Sequence, residues 1–218
     1  MTDQPTIALV DDHQILVYTL GLTFAAHDIT CVGFPPAPAP VLFAQLVELG
    51  PALVLLDLDL GAHGDGIPLI RLLTRAELPV LVLTGTTDRV RLGLAVEQGA
   101  VAVIRKDAGF GMLLAAVRAA LAGDVPDSVA DPAELLAALS ASRDQQTARM
   151  QPYLTLTERE RQVLSELANG RSVNEIAAAW VVSAATVRSH VQSVLTKLGV
   201  GSQLQAVVLA IRSGWLQS

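Results

Sequence analysis

The sequence has one cysteine, Cys31, in 218 residues. A single thiol excludes a disulfide framework and a thiolate metal cluster, and it fits a reducing compartment. Aromatic residues are scarce as well, at 4%, so Val, Leu, Ile and Ala have to fill any core. Charged residues make up 17% against 51% hydrophobic, a balance that excludes a disordered chain. Long apolar runs are missing: the stretch from Pro51 to Leu56 is broken by Asp57 and Asp59, far short of the ~20 residues that a membrane span takes. The chain opens Met1-Thr2-Asp3-Gln4-Pro5, without the basic start and apolar run of a secretory signal. Together these absences predict a folded, cytoplasmic protein with no membrane partner.

The charge that is present lies unevenly. The net −6 divides into −5 over residues 1–123, −3 over 124–152 and +2 over 153–218. Such asymmetry predicts modules with different partners, the C-terminal one suited to an anion.

In residues 1–123, β-branched runs alternate with segments of helical period. Strands are expected at Ile7–Val10, Thr30–Phe34, Leu53–Leu56, Val80–Leu83 and Val101–Ile104, with helices near 14–26, 41–48, 67–76, 88–98 and 110–122. Five βα units predict a doubly wound α/β domain, a five-stranded parallel sheet whose almost wholly apolar strands are buried on both faces. Residues 124–152 turn polar and acidic and read as a linker. Within it Asp131-Pro132-Ala133-Glu134 offers a cap, a first-turn proline and a first-turn acid for a short helix. Residues 153–218 read as a small all-α domain, with helices near 158–168, 173–180, 184–198 and 203–213. Two of these open on capping boxes, Thr157 with Glu160 and Ser172 with Glu175.

In the first domain Asp11 and Asp12 follow the first strand, Asp57 the third and Lys106 the fifth, while Thr84 ends the fourth. A doubly wound sheet gathers its strand ends, so these groups should meet in one pocket. Clustered carboxylates repel and resist ionisation unless a cation joins them. A hard divalent ion with oxygen ligands answers that need, Mg²⁺ above all. A carboxylate there can attack a phosphoryl group while metal and lysine neutralise the developing charge.

This constellation resembles the receiver domain of two-component response regulators across residues 5–122. The resemblance implies that Asp57 accepts a phosphoryl group from a histidine kinase. It gives Mg²⁺ to Asp11, Asp12, Asp57 and the backbone carbonyl of Asp59, and the new phosphate to Lys106 and Thr84, with Gly85 leaving space beside the latter. The sequence departs from the family at several points. Val103 stands where most receivers have Tyr or Phe, Gly61 replaces the usual proline, and the loop Gly61–Gly66 is about one residue longer than usual. The prolines at 35, 36, 38 and 40 make an unusual entry to the second helix. His63 reads as a solvated loop residue.

In the second domain Ile176, Ala177 and Trp180 form one apolar stripe and Val187, Val191, Val194 and Leu198 another, separated by Val181-Val182-Ser183. Two short helices about a tight turn predict a helix-turn-helix whose second helix enters the DNA major groove. With the second stripe inward, Arg188, Ser189, Gln192 and Thr196 face out. Arginine can read guanine and glutamine adenine, while Ser183 and Thr186 suit phosphate oxygens. His190 lies beside the inward stripe and reads as packed. The motifs Leu156-Thr157-Glu158-Arg159-Glu160, Ala168-Asn169-Gly170, Glu175-Ile176-Ala177, Thr186-Val187-Arg188-Ser189-His190 and Lys197-Leu198-Gly199-Val200 resemble the LuxR-type DNA-binding domain over residues 154–216. Lys197 joins the expected DNA contacts on that basis. Receiver plus LuxR-type domain is the NarL-type architecture. Gln203 stands where the family usually has arginine, and Trp180 where leucine is common. Ala206, Val207, Leu209, Ala210 and Trp215 fall on what the family uses as a dimerisation surface. A net +2 permits few phosphate contacts, so a homodimer on two promoter half-sites is expected.

Two other readings stay open. Val103 and the altered loop fit a receiver governed by a partner or small ligand without phosphate. Asp57-Leu58-Asp59 matches the start of haloacid dehalogenase-like phosphatases, although those carry the acidic pair last and this chain carries it first.

Overall fold

The computed structural model describes residues 4–127 and 131–216. The chain divides into two compact units, Met1–Ser140 and Ala141–Ser218.

The first unit is a doubly wound α/β domain. Its strands are β1 (Thr6–Val10), β2 (Thr30–Phe34), β3 (Leu53–Leu56), β4 (Val80–Thr84) and β5 (Ala102–Arg105), all parallel, in the order β2-β1-β3-β4-β5. Between and after them run α1 (Gln14–Ala25), α2 (Ala39–Leu49), α3 (Ile67–Arg75), α4 (Arg89–Glu97) and α5 (Phe110–Ala122). Strand alternation sends Ala8, Val10, Val54, Leu56, Val80, Val82 and Val103 into one core with α2, α3 and α4. Their neighbours Ile7, Leu9, Leu53, Leu55, Leu81, Leu83 and Ile104 enter a second core with Leu20 and Phe24 of α1 and Leu113 and Val117 of α5. Both faces of the sheet are therefore covered, which is why its strands are so uniformly apolar. The order reverses between β1 and β3, and ligands of such sheets bind outside the carboxyl ends at that switch point.

Strand ends shift by one residue from expectation at β1, β4 and β5, and two helices differ more. α2 begins at Ala39, two residues early, because Pro38 sits at its cap and Pro40 in its first turn, where a missing N–H costs nothing. The linker helix is not short: α6 spans Pro132–Leu154, 23 residues. Asp131 caps it, taking the Ala133 amide on its Oδ1 at 2.8 Å. Within the first unit Leu135 is fully buried in the core beneath α4.

The second unit holds α7 (Glu158–Ala168), α8 (Val173–Trp180), α9 (Ala184–Leu198) and α10 (Gln203–Arg212). Both expected capping boxes form. Val163, Ile176, Ala177, Val187 and Val191 make one core cluster, and Tyr153, Leu156, Leu164, Val194, Leu198, Ala206 and Ala210 another. The turn between α8 and α9 passes through Val181 at φ +57°, a left-handed conformation that a β-branched residue rarely adopts. Trp180 is half-buried, with the Arg159 guanidinium 5.1 Å above its ring.

Glu160 does more than cap α7. It is 4% exposed, and its carboxylate accepts from the Thr157 amide, the Ser193 hydroxyl and Lys197 Nζ. Burial alone would raise its pKa, but the bonds from Lys197, Ser193 and Thr157 outweigh burial and hold it at about 2 against an ordinary 4.5. A folded value below the unfolded one stabilises fully above the unfolded pKa, and that stability is lost as pH falls through the folded one. The second unit should therefore weaken on acidification from about pH 5 towards 2, and Glu160→Gln should flatten that dependence. Tryptophan fluorescence melts at a series of pH values check this, since Trp180 and Trp215 both lie in this unit; an unaltered slope in the variant would refute it.

Candidate functional site

The fold brings the expected acids of the first unit together. Asp11 and Asp12 follow β1 and Asp57 follows β3, on either side of the switch point. The Asp57 amide donates to the Val10 carbonyl at 2.9 Å, locking the acceptor segment to the end of β1. One oxygen each of Asp11, Asp12 and Asp57 and one nitrogen of His13 lie within 4.8 Å of one another. Asp11 and Asp57 are both 2% exposed, whereas Asp12 is open to solvent.

Lys106, just past β5, reaches across to both buried acids. Its Nζ is 2.6 Å from Asp57 Oδ2 and 2.7 Å from Asp11 Oδ2. Burial pulls this ammonium's pKa down, but the hydrogen bonds to Asp11 and Asp57 outweigh burial and keep it above the ordinary lysine value. Asp57 Oδ1 has no hydrogen-bond partner among the described residues although it is buried. Such an atom is costly unless a ligand or ion meets it. Thr84 is 1% exposed, with its hydroxyl accepting from the Thr86 amide at 3.3 Å, and Gly85 beside it faces open space. His13, Asp57, Asp59, Thr84, Arg91 and Lys106 line a cleft of about 440 Å³.

Two of these residues escaped the sequence reading. His13 Nδ1 lies 2.6 Å from Asp12 Oδ1 and 3.0 Å from Asp11 Oδ1; its position next to the acidic pair was the available signal. Arg91 donates to the Leu58 carbonyl at 2.6 Å, and no motif marked it. Asp59 turns its side chain to its own loop, accepting from the Gly61 amide at 3.2 Å. Gly61 has φ +59°, which a proline cannot adopt, so the departure from the family at this position follows from a different loop path. His63 is exposed, in a 3₁₀ turn formed by Gly61–His63. Val103 is 1% exposed within the core against α4. Burial pushes the Cys31 thiol up to about 11, where little nucleophilic thiolate exists.

In the second unit α9 turns Val187, Val191, Val194 and Leu198 inward and leaves Thr186, Arg188, Ser189, Gln192 and Thr196 exposed. Ser183 caps the helix, accepting from the Thr186 amide at 3.1 Å. Lys197 differs from the rest of this set, because its ammonium is turned inward, 2.7 Å from Glu160 Oε2 and 2.9 Å from the Thr155 carbonyl. His190 is half-buried. The apolar surface of α10 also lies elsewhere than expected. Ala206 and Ala210 are fully buried, Val207 packs on the same core, and Trp215 stacks on Tyr153 at 5.2 Å. Leu209 stays exposed and is joined by Leu204, Val208 and Ile211.

The family model of response regulator receiver domains matches residues 7–118, and that of the luxR family of bacterial regulatory proteins matches 154–210. The chain belongs to the LuxR-type response regulators. This response regulator is 32% identical over 208 residues to an uncharacterised transcriptional regulatory protein of Bacillus subtilis, YhcZ, covering 94% of this chain and 95% of that one. It is 31% identical over 214 residues to the response regulator VraR of Staphylococcus aureus, covering 97% and 98%. A solved structure of RcsB from Salmonella enterica serovar Typhimurium shares the fold at 23% identity, with a TM-score of 0.51 over 97% of this chain and all of that one; it is bound to promoter DNA in the presence of the phosphomimetic BeF3⁻. The regulator is thus a two-component, DNA-binding transcription regulator with a LuxR-type helix-turn-helix. Among its described residues no single helix is long and apolar enough to cross a membrane.

Proposed function

We propose that this regulator takes a phosphoryl group from a cognate histidine kinase onto Asp57 and, as a homodimer, binds promoter DNA in the cytoplasm through α9. The observation that carries the first half is the state of the Asp57 carboxylate: Oδ2 is held by Lys106 at 2.6 Å, while Oδ1 is buried without a partner among the described residues. Oδ1 attacks phosphorus, the bond from phosphorus to the kinase histidine nitrogen breaks, and its electron pair stays on the imidazole. Lys106 then pairs with a phosphoryl oxygen, and the Thr84 hydroxyl donates to another.

Asp11, Asp12, Asp57 and the Asp59 carbonyl are the oxygen donors suited to Mg²⁺, and three carboxylates gathered within 4.8 Å of one another fit a cation there. When bound, Mg²⁺ supplies positive charge against the transferring oxygens. The chain's own part is to hold Asp57 rigidly through the Val10 carbonyl and to keep Lys106 charged.

For DNA, Arg188, Ser189 and Gln192 are the candidates for base edges, and Ser183 and Thr186 for phosphates. Lys197 supports the reading helix through Glu160. Along the chain the working division is receiver 1–123, linker 124–152 and DNA-binding domain 153–218. The test is operator affinity and self-association of the whole chain with and without acetyl phosphate: tighter binding and dimer formation are expected, and no change in either would sink control through Asp57.

The exposed side chains of α10 are the proposed dimer contact. Leu204 is 74% exposed, so Leu204→Glu should leave the fold intact. It should abolish dimers in sedimentation experiments and weaken operator binding by ~10²-fold, as expected when the second contact is no longer effectively intramolecular. Unaltered sedimentation would move the interface elsewhere.

A second reading, control without phosphate, has one observation in its favour. Val103 is small and packed, so it offers no ring to reorient. Asp57→Ala leaving promoter regulation unchanged is the result that reading requires.

A further inference from the structure

α4 is held on two opposite sides. On one, Arg91 Nη2 donates to the Leu58 carbonyl at 2.6 Å and stands 3.2 Å from Asp65 Oδ1, tying the helix to the loop that carries the acceptor. On the other, Arg89 pairs with Glu134 at 2.8 Å. One turn on, a Cβ on Gly93 would lie 2.4 Å from the Leu135 carbonyl. Residues 89 and 93 share a face of the helix and 91 points away from it, so one short helix joins the acceptor loop to the first turns of α6. Leu135 completes this contact in the same core cluster as Leu92, Ala95 and Val103.

We infer that Arg91 is a ligand of the phosphoryl group on Asp57, and that its capture there loosens α4 from the first turns of α6. The inference rests on phosphorylation of Asp57. Arg91 bonds the residue next to the acceptor and lines the same cleft as Asp57, Thr84 and Lys106. Its present partners are a neutral carbonyl and a half-exposed carboxylate, the latter a pairing of little net strength. Both partners have other donors: the Gly66 amide bonds the Leu58 carbonyl at 2.9 Å, and the Ile67 amide bonds Asp65 Oδ1 at 3.0 Å. Neither is stranded when Arg91 leaves. A phosphoryl dianion offers the guanidinium forked, charge-assisted bonds in exchange. With valine at 103 there is no ring on β5 to reorient, and the responding group is Arg91 on α4.

The test is beryllofluoride with Mg²⁺ added to the full chain, followed by ¹⁹F NMR for binding and hydrogen exchange for α4 and residues 132–140. In the wild type, binding should raise exchange in both segments several-fold. Arg91→Ala should bind the ligand roughly tenfold more weakly and show raised exchange before any is added, with no further rise. Arg91→Lys keeps the charge but not the fork; it should fold as the wild type and still lose most of the ligand-dependent rise. Wild-type affinity and a wild-type exchange response in both variants would overturn the role of Arg91 alone. A wild type that binds no beryllofluoride would overturn that role together with phosphorylation at Asp57.

Discussion

Asp57→Asn should gain no phosphoryl mass from acetyl phosphate under conditions in which the wild type is modified, and intact-mass spectrometry reads the difference directly. The amide cannot serve as the nucleophile, and neither buried Asp11 nor exposed Asp12 replaces it, because the cleft is lined by Asp57, Thr84 and Lys106 and by neither of those two acids. The same substitution should stabilise the first unit. The cluster sets three carboxylates against one ammonium, and one buried oxygen of Asp57 has no partner among the described residues. Removing that charge lets Lys106 serve Asp11 alone, a gain of about 1 kcal/mol or more. Thermal melting checks this; a variant that melts below the wild type would mean that the Lys106–Asp57 pair outweighs the repulsion. Added Mg²⁺ should reverse the order. At about a hundred times its Kd, a bound ion stabilises the wild type by ~2.7 kcal/mol, and the variant, short of one carboxylate ligand, should gain less. Loss of phosphate acceptance with a gain in metal-free stability is the signature of a functional site whose charges are assembled against their own repulsion.

Much of this site was legible because a two-sided parallel sheet writes its strands as short apolar runs, and each acid stands at the end of one. Asp11, Asp12, Asp57, Thr84 and Lys106 could be assigned to one pocket from their order alone. What lay outside a strand end was harder to read. Arg91 sits in α4, where an arginine looks like any solvated helix residue, and its bond to Leu58 depends on how the β3–α3 loop folds. The length of α6 was hidden for a related reason. Residues 141–149 are exposed on nearly all sides, so they carry no apolar period and read as linker, although Ala, Gln and Arg favour helix. On α10 the expected surface named Ala206, Val207, Leu209, Ala210 and Trp215 and left out Leu204, Val208 and Ile211, because which side chains turn inward depends on a core in which Trp215 stacks on Tyr153. Glu160 was legible as a capping acid, whereas its bonds to Ser193 and Lys197 join residues more than thirty positions apart. Local spacing reports local partners.

That last pair bears on the second large effect, which separates two cations of the same helix. Arg188→Ala should lower operator affinity by about 1–3 kcal/mol per half-site if the arginine reads a base, and relax discrimination at that position. Over two half-sites the loss compounds, to a fall of several orders of magnitude at most. Lys197→Ala should behave differently, because its ammonium already meets Glu160 and the Thr155 carbonyl inside the unit. Removing it leaves a buried carboxylate short of its main partner, so the variant should lose stability first and affinity only in proportion to what unfolds. Binding isotherms over a salt series distinguish the two. A residue that neutralises a phosphate contributes ~0.9 to the slope of log affinity against log salt; Lys197→Ala should leave that slope unchanged in the folded fraction. A slope reduced by one contact would place the Lys197 ammonium on the DNA, with Glu160 released to its capping role.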